Sequence, residues 1–207
     1  MRLLVIDTET GGLNHEMFSL LEVGLVAWED GNIVGSDSFL VYEGESELCV
    51  DSDAMEHNRI NLDQVRAEGI SPATAVQRIR DMTLELHQGD PQAHTRLAGW
   101  NLDFDKRFLL RCHKLAAAHP MFALPSYFSH RGFDCPSVMF ALAYSGLIDL
   151  APDEINSTSG FEYFKVSPPK DLRHRALGDA VATAKLITAM TERMKQCRSM
   201  SPQLNPS

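Results

Sequence analysis

The sequence has no apolar run that approaches the roughly 18 residues a helix needs to span a membrane. Its N-terminus also lacks the basic region, apolar region and cleavage site that together form a secretory signal. These two absences predict a cytoplasmic protein that has no membrane partner.

Cysteine and excess positive charge are scarce as well. Cys49, Cys112, Cys135 and Cys197 are far apart and form no Cys-x-x-Cys pair, so we expect neither structural zinc nor a disulfide framework. The net charge of -9 argues against a broad basic face that coats nucleic acid. It does not exclude an enzyme that holds one strand end, because metal-binding carboxylates make the total charge more negative and bound cations reverse the local sign.

The size and composition are those of a globular domain. A chain of 207 residues, 44% hydrophobic and 23% charged, is long enough for one sizeable core and barely long enough for two. We therefore expect a single domain over residues 1–197. Residues 198–207 are polar, contain two prolines and are expected to form a disordered tail.

Patterns of apolar residues predict an α/β protein. Three early apolar segments, with an Asp-Gly turn at Asp30, predict an antiparallel meander of strands. Helical stripes then alternate with a short strand, which predicts a mixed central sheet flanked by helices. Residues 149–169 show no long periodic pattern, and we expect a loop or lid there. The expected strands begin at the N-terminus and cover 20–28, 33–42 and 95–100; helices are expected after Ser71, after Asn101, from about Pro136 and over 175–195.

The first candidate functional stretch follows the opening apolar run. Strand residues alternate faces, so Asp7 and Glu9 point to the same side, about 6 to 7 Å apart along the strand. Repulsion between two such carboxylates is relieved by a divalent cation, and their hard oxygen ligands suit Mg²⁺ or Mn²⁺. Gly11 and Gly12 can adopt backbone angles closed to other residues and allow close approach of a ligand. A buried strand that ends in a polar turn explains Asp-x-Glu equally well when the motif stands alone.

Two further segments carry acids at predicted helix starts. Asp103 and Asp105 follow a predicted strand, at the kind of junction where open α/β sheets place ligands. His174 and Asp179 begin the last helix; five residues apart on a continuous helix they would be separated by about 140°, so they converge only if His174 precedes the helix. For the Asp103 segment alone, acids that offset the helix dipole are the simpler interpretation; for the His174 segment, a lone surface histidine and a dipole-complementing acid stay open as an alternative.

Together the three segments resemble, in order and spacing, the three motifs of the DEDDh 3'-5' exonucleases, the group that includes ribonuclease T and the proofreading subunit of DNA polymerase III. The resemblance spans residues 7 to 180. It is carried by Asp7-Thr8-Glu9-Thr10-Gly11-Gly12-Leu13, Asn101-x-x-Phe104-Asp105-x-x-Phe108-Leu109 and His174-x-Ala176-Leu177-x-Asp179-Ala180.

The resemblance implies a ribonuclease H-like fold and a metal-dependent 3'-5' exonuclease. Such an enzyme hydrolyses phosphodiester bonds of DNA or RNA from the 3' end and releases nucleoside 5'-monophosphates. By this resemblance, Asp7, Glu9, Asp105 and Asp179 hold two divalent cations, Mg²⁺ or Mn²⁺, and His174 acts as the general base.

The resemblance also implies the partner of the site, a single-stranded nucleic acid with a free 3' end. Residues at positions that would contact the terminal nucleotides are Thr10, Leu13, His57 and Asn101, with Leu13 wedged against a base. The chain could also form a homodimer.

Three positions qualify the resemblance. A sister group has tyrosine four residues before the last aspartate, where this chain has Arg175, so the histidine version applies. Trp100 stands where family members often have histidine, which affects local packing or strand contact and leaves the metal ligands unaffected. Asp103 is a rival to Asp105, and we prefer Asp105 because the two phenylalanines of the motif set the family register around it.

Several alternatives remain open at this level. A ribonuclease H-like module could bind nucleic acid or protein without catalysis, although such a module has no need for four converging acids. A metal-dependent endonuclease could use the same fold. The preference for DNA or RNA depends on contacts to the 2'-hydroxyl and on site width. Four cations flank the site in sequence and could hold a phosphate backbone, although a solvated surface is their default role: Lys165, Lys170, Arg173 and Arg175.

Overall fold

The computed structural model of the chain describes residues 1–44, 47–117 and 125–200, with side chains described through residue 197. Its centre is a five-stranded mixed sheet in the order β3-β2-β1-β4-β5. Strand β1 pairs antiparallel with β2 and parallel with β4. The strands are β1 Arg2–Thr10, β2 Leu20–Glu29, β3 Asn32–Leu40, β4 Arg96–Gly99 and β5 Phe133–Asp134.

The first three strands form the predicted antiparallel meander. The β2–β3 turn has Asp30 and Gly31 at positive φ angles of 47° and 101°, the left-handed geometry that an Asp-Gly hairpin favours. The predicted α/β class with a mixed central sheet flanked by helices is confirmed.

Seven α-helices are found among the described residues. Ser71 caps α3 through its hydroxyl, which accepts from the Thr74 N–H, and Pro72 occupies the first turn, as the sequence predicted. The helices are α1 Ser52–Asn58, α2 Leu62–Glu68, α3 Pro72–Leu86, α4 Leu102–Leu115, α5 Cys135–Tyr144, α6 Ser157–Tyr163 and α7 Ala176–Met200; a 3₁₀ turn covers Pro152–Glu154.

Alternation along β1 divides the core between the two faces of the sheet. Leu4 and Ile6 pack with α3 and α4 on one face, and Leu3 and Val5 pack with α5, α6 and α7 on the other. By the same alternation, Asp7 and Glu9 continue the row of Leu3 and Val5, on the face of α7. The fold therefore aims both acids at the helix that carries the third motif.

The structure corrects two expectations from the sequence. Residues 149–169 contain a 3₁₀ turn and the helix α6 rather than only a loop. Asn156 caps α6 in a reciprocal capping box with Ser159, and this short polar helix has no apolar stripe long enough to predict it. The last helix continues to Met200, so residues 198–200 of the predicted tail are helical. Residues 201–207 of that tail lie outside the described residues. Within the described parts of the chain, no helix is long and apolar enough to cross a membrane.

Candidate active site

Asp7 and Glu9 open onto a cavity of about 510 Å³ at the carboxyl end of β1. Glu9 is buried and Asp7 is half-buried. Gly11 and Gly12 make room for the chain itself, because a Cβ would lie 2.3 Å from the Cys49 carbonyl oxygen at Gly11 and 2.4 Å from the Phe18 ring at Gly12. The unusual backbone angles expected of the two glycines are not seen, since neither has a positive φ.

Asp179 reaches the same cavity because α7 begins in contact with β2. Gly24 of β2 pairs with Asp7, and a Cβ at Gly24 would lie 2.2 Å from the carbonyl carbon of Ala176. Only glycine therefore allows the helix to start this close to the sheet. In the first turn that follows, Asp179 brings a carboxylate oxygen within 4.8 Å of those of Asp7 and Glu9.

Asp105 enters the cavity from the first turn of α4, on the opposite face of the sheet. Its carboxylate is buried and accepts a hydrogen bond of 2.7 Å from the Thr8 hydroxyl. The rival acid, Asp103, is exposed, does not line the cavity and forms an ion pair of 2.7 Å with Arg107 one helical turn away. Of the two acids in this segment, Asp105 is thus the one that faces Asp7 and Glu9.

His174 lies just before α7, with a positive φ of 61°. This position removes the constraint that a continuous helix would place on the His174–Asp179 pair. The His174 ring lies against the ring of His57 from the last turn of α1, with 4.1 Å between centroids and an interplanar angle of 60°. Both rings line the cavity. The two histidines therefore form one wall of the acidic site.

Burial disfavours the charged forms of all four acids, and repulsion between carboxylates adds to this effect at Asp7 and Glu9. Burial and the neighbouring Asp105, Glu9 and Asp179 carboxylates raise the pKa of Asp7 well above its ordinary value. Burial, followed by repulsion from Asp179, raises the pKa of Glu9 to about 8, and burial raises the pKa of Asp105 to about 7. Burial also raises the pKa of Asp179. Arg173 offsets only part of this cost, so the cluster favours binding of a further cation.

A free ligand atom supports the fit to a metal. Among the residues that the structure describes, Asp179 Oδ1 is buried and has no hydrogen-bond partner. A buried carboxylate oxygen without a partner is costly, and a bound cation would remove that cost. With Asp7 and Glu9, it supplies the oxygen ligands that Mg²⁺ or Mn²⁺ prefers.

The imidazole of His174 is neutral at pH 7. Burial is the main cause that lowers its pKa to about 4, and the charges of Arg173, His57 and Arg59 lower it further. This value lies below the ordinary histidine pKa of ~6.5. The neutral ring can accept a proton, and its low pKa makes it a weaker base than an exposed histidine.

Three of the four predicted nucleotide-contacting residues line the cavity: Thr10, Leu13 and His57. Leu13 is 87% exposed, which is unusual for a leucine and leaves its side chain available at the rim. Asn101 is exposed and does not line the cavity. It occupies a left-handed conformation, with φ 58° and ψ 52°, as the N-cap position of α4.

The four cations that flank the site in sequence have different positions in the structure, which the sequence did not predict. Arg173 lines the cavity and forms an ion pair with Asp179. Arg175 instead pairs with the buried Glu22 of β2, with N–O distances of 2.9 and 3.0 Å. Lys165 and Lys170 are exposed and do not line the cavity. Only adjacency to His174 could have pointed to Arg173.

Helix α6 contributes two residues that the sequence did not indicate. Ser157 and Phe161 line the cavity, and Phe161 meets Trp100 edge to face with 6.1 Å between ring centroids. A Cβ at Gly160 would lie 3.2 Å from the Trp100 ring, so the tryptophan packs directly on the helix. Trp100 therefore holds α6 against the site.

Solved structures of exonuclease I share this fold. The product-bound form is 15% identical in sequence to this chain, with a TM-score of 0.72; the match covers 94% of this chain and 44% of the exonuclease I chain. The E. coli enzyme in complex with a dA16 oligonucleotide is 17% identical, with a TM-score of 0.72; the match covers 94% of this chain and 42% of the enzyme chain. The zinc-bound form of the E. coli enzyme with single-stranded DNA is 18% identical, with a TM-score of 0.69; the match covers 96% of this chain and 42% of the enzyme chain.

These similarities identify the fold as ribonuclease H-like. The chain spans less than half the length of the exonuclease I chains that it matches. No protein-family model matches the sequence, and no curated protein does either. Nothing in these comparisons supports a homodimer.

Proposed function

We propose that the chain is a metal-dependent 3'-5' exonuclease that hydrolyses phosphodiester bonds from the 3' end of a single-stranded DNA or RNA and releases nucleoside 5'-monophosphates. The observation that carries the proposal is the single cavity lined by Asp7, Glu9, Asp105, Asp179 and His174. The shared fold with exonuclease I, solved in complex with single-stranded DNA, supports the same class of reaction and substrate.

Two divalent cations, Mg²⁺ or Mn²⁺, would be held by Asp7, Glu9, Asp105 and Asp179. When bound, such cations lower the pKa of a coordinated water and stabilise charge on the entering and leaving oxygens. The acids themselves provide the negative potential that concentrates cations in the cavity, and repulsion between them contributes, after burial, to the raised pKa values of Asp7 and Glu9.

His174 would act as the general base. The water oxygen attacks phosphorus, its proton passes to a ring nitrogen of His174, and the bond from phosphorus to the 3' oxygen breaks. The leaving 3' oxygen then takes a proton from solvent, and the terminal nucleotide departs with the 5' phosphate. Because His174 is neutral at pH 7, it needs no prior deprotonation to accept the proton. Contact with the His57 ring restricts its orientation.

Leu13 and Thr10 would bind the terminal nucleotides. An exposed leucine at the cavity rim offers an apolar surface for one face of a nucleobase. Thr10 Oγ1 already donates a 2.8 Å hydrogen bond to the Gly12 carbonyl, which fixes the loop that carries Leu13. A paired duplex end would have to unpair before its terminal base could meet Leu13, which favours a single strand.

Digestion of matched linear and circular strands tests this function. With Mg²⁺, a 5'-labelled single strand should shorten stepwise from its 3' end, and mass spectrometry should find nucleoside 5'-monophosphates. A circular strand should stay intact because it has no end. Cleavage of the circle would indicate an endonuclease, and intact linear DNA and RNA would contradict the proposal. Parallel DNA and RNA strands would define the preferred sugar.

A further inference from the structure

Arg173 occupies an unusual place for a cation, since its guanidinium pairs with one of the four acids proposed to bind metal. The ion pair joins Arg173 Nη1 to Asp179 Oδ2, and the side chains are only 21% and 9% exposed. A divalent cation on Asp179 would repel this guanidinium at close range. The two cations therefore compete for one carboxylate.

Asp179 presents its two oxygens differently. Oδ2 accepts from Arg173 and, at 3.3 Å, from the His174 backbone N–H. Oδ1 is buried and lacks a hydrogen-bond partner within the described part of the chain. One oxygen thus satisfies the arginine, and the other is the atom through which a metal cation can first contact Asp179 and then repel the guanidinium.

Arg173 has a second set of contacts that does not involve the acids. Its Nη2 donates to the Ser157 hydroxyl at 2.9 Å and lies 3.4 Å from the Thr158 hydroxyl, both on α6. Its guanidinium lies 5.4 Å from the centre of the Phe161 ring. These contacts would keep the guanidinium in the cavity after it leaves Asp179.

The neighbouring arginine shows what a purely structural pair looks like here. Arg175 forms two hydrogen bonds to Glu22, and neither residue lines the cavity. Arg173 differs because its partner faces the proposed substrate site. A planar guanidinium with several donors matches the non-bridging oxygens of a phosphodiester.

We propose that Arg173 exchanges partners during the reaction: it neutralises Asp179 in the metal-free protein and binds a substrate phosphodiester once cations occupy the acids. This inference rests on the proposed nuclease function. It assigns Arg173 as the substrate-phosphate residue of the site and α6 as the support that keeps it in place.

The first half of the exchange is tested by calorimetric titration of Mn²⁺ without nucleic acid. Arg173→Gln removes the competing cation, so we expect Mn²⁺ to bind about tenfold more tightly than to the parent. Lys185→Gln is a matched control, because it removes an equal charge from an exposed position on α7. Its Kd should equal that of the parent. Equal or weaker Mn²⁺ binding by Arg173→Gln would overturn the proposal.

The second half is tested by fluorescence anisotropy with two hydrolysis-resistant strands in Mn²⁺. One carries a charged phosphorothioate at its 3'-terminal linkage, and the other carries an uncharged methylphosphonate. Arg173→Gln should weaken binding of the first about tenfold and leave binding of the second unchanged. Equal loss for both strands, or no loss for either, would overturn the exchange. A parent protein that binds neither strand would contradict the nuclease function as well.

Discussion

Replacing Asp7 by asparagine tests the electrostatics of the site, because the change removes one carboxylate and keeps the side-chain shape. Oxygens of Glu9 and Asp179 lie within 4.8 Å of an Asp7 oxygen. At that separation two ionised carboxylates repel by about 3.5 kcal/mol for an effective dielectric constant of about 20. Protonation relieves part of this cost, since the pKa values of Asp7 and Glu9 are raised. We therefore expect Asp7→Asn to stabilise the metal-free protein at pH 8 by about 1–3 kcal/mol.

Thermal unfolding in EDTA and in Mn²⁺ measures this effect. In EDTA at pH 8 the Tm of Asp7→Asn should exceed that of the parent by about 3–10 °C, and the rise in Tm on addition of Mn²⁺ should be smaller. Asp103→Asn is the control, because this exposed acid does not line the cavity. Its Tm should change little in either condition. A lower Tm for Asp7→Asn in EDTA, with a full Mn²⁺ response, would refute the reasoning.

Three further predictions follow from the same geometry. His174→Ala should lower kcat by about 10²–10⁴-fold and keep the calorimetric Kd for Mn²⁺ within about twofold, whereas an unchanged kcat would exclude it as the base. Because the pKa values of Glu9 and Asp105 are raised, the folded state holds protons that the unfolded state releases. The Tm in EDTA should therefore fall as the pH rises from 4.5 to about 8, and saturating Mg²⁺ should flatten this slope. A Tm that rises over this pH range would contradict the raised pKa values. Gly24→Ala should lower the free energy of unfolding in urea by about 3 kcal/mol and weaken Mn²⁺ binding. Gly35→Ala is the control and should do neither, because its Cβ would lie 3.7 Å from that of Ala27. Equal effects of the two changes would contradict the close contact of α7 with β2.

Local patterns were sufficient to predict much of the fold. Apolar runs in β1 and β2 and the Asp30-Gly31 turn predicted the meander, because each depends on neighbours in sequence. The short helix α6 was not predicted, since it is polar and is stabilised by a capping box and by contact with Trp100. Tertiary packing decided that element, and a single sequence does not display such packing.

The candidate site likewise contains residues that the sequence predicted and residues that it did not. Strand ends and helix starts located Asp7, Asp105 and Asp179 in the chain, but only the resemblance to the DEDDh motifs predicted that they share one site. The role of Gly24 could not be read, because it depends on the approach of α7 across the strand pair. The contacts of Arg173 also depend on α6, so no local pattern separates it from the other basic residues nearby.

The most direct test of the account compares Asp105→Asn with Asp103→Asn in Mg²⁺-dependent shortening of a 5'-labelled single strand. The two changes remove the same charge two residues apart on α4, but only Asp105 faces the cavity. Asp105→Asn is expected to lower the rate by about 10³-fold or more, as for removal of a group that stabilises the transition state, and Asp103→Asn to keep the parental rate. Equal rates for the two variants, or a loss confined to Asp103→Asn, would contradict this expectation.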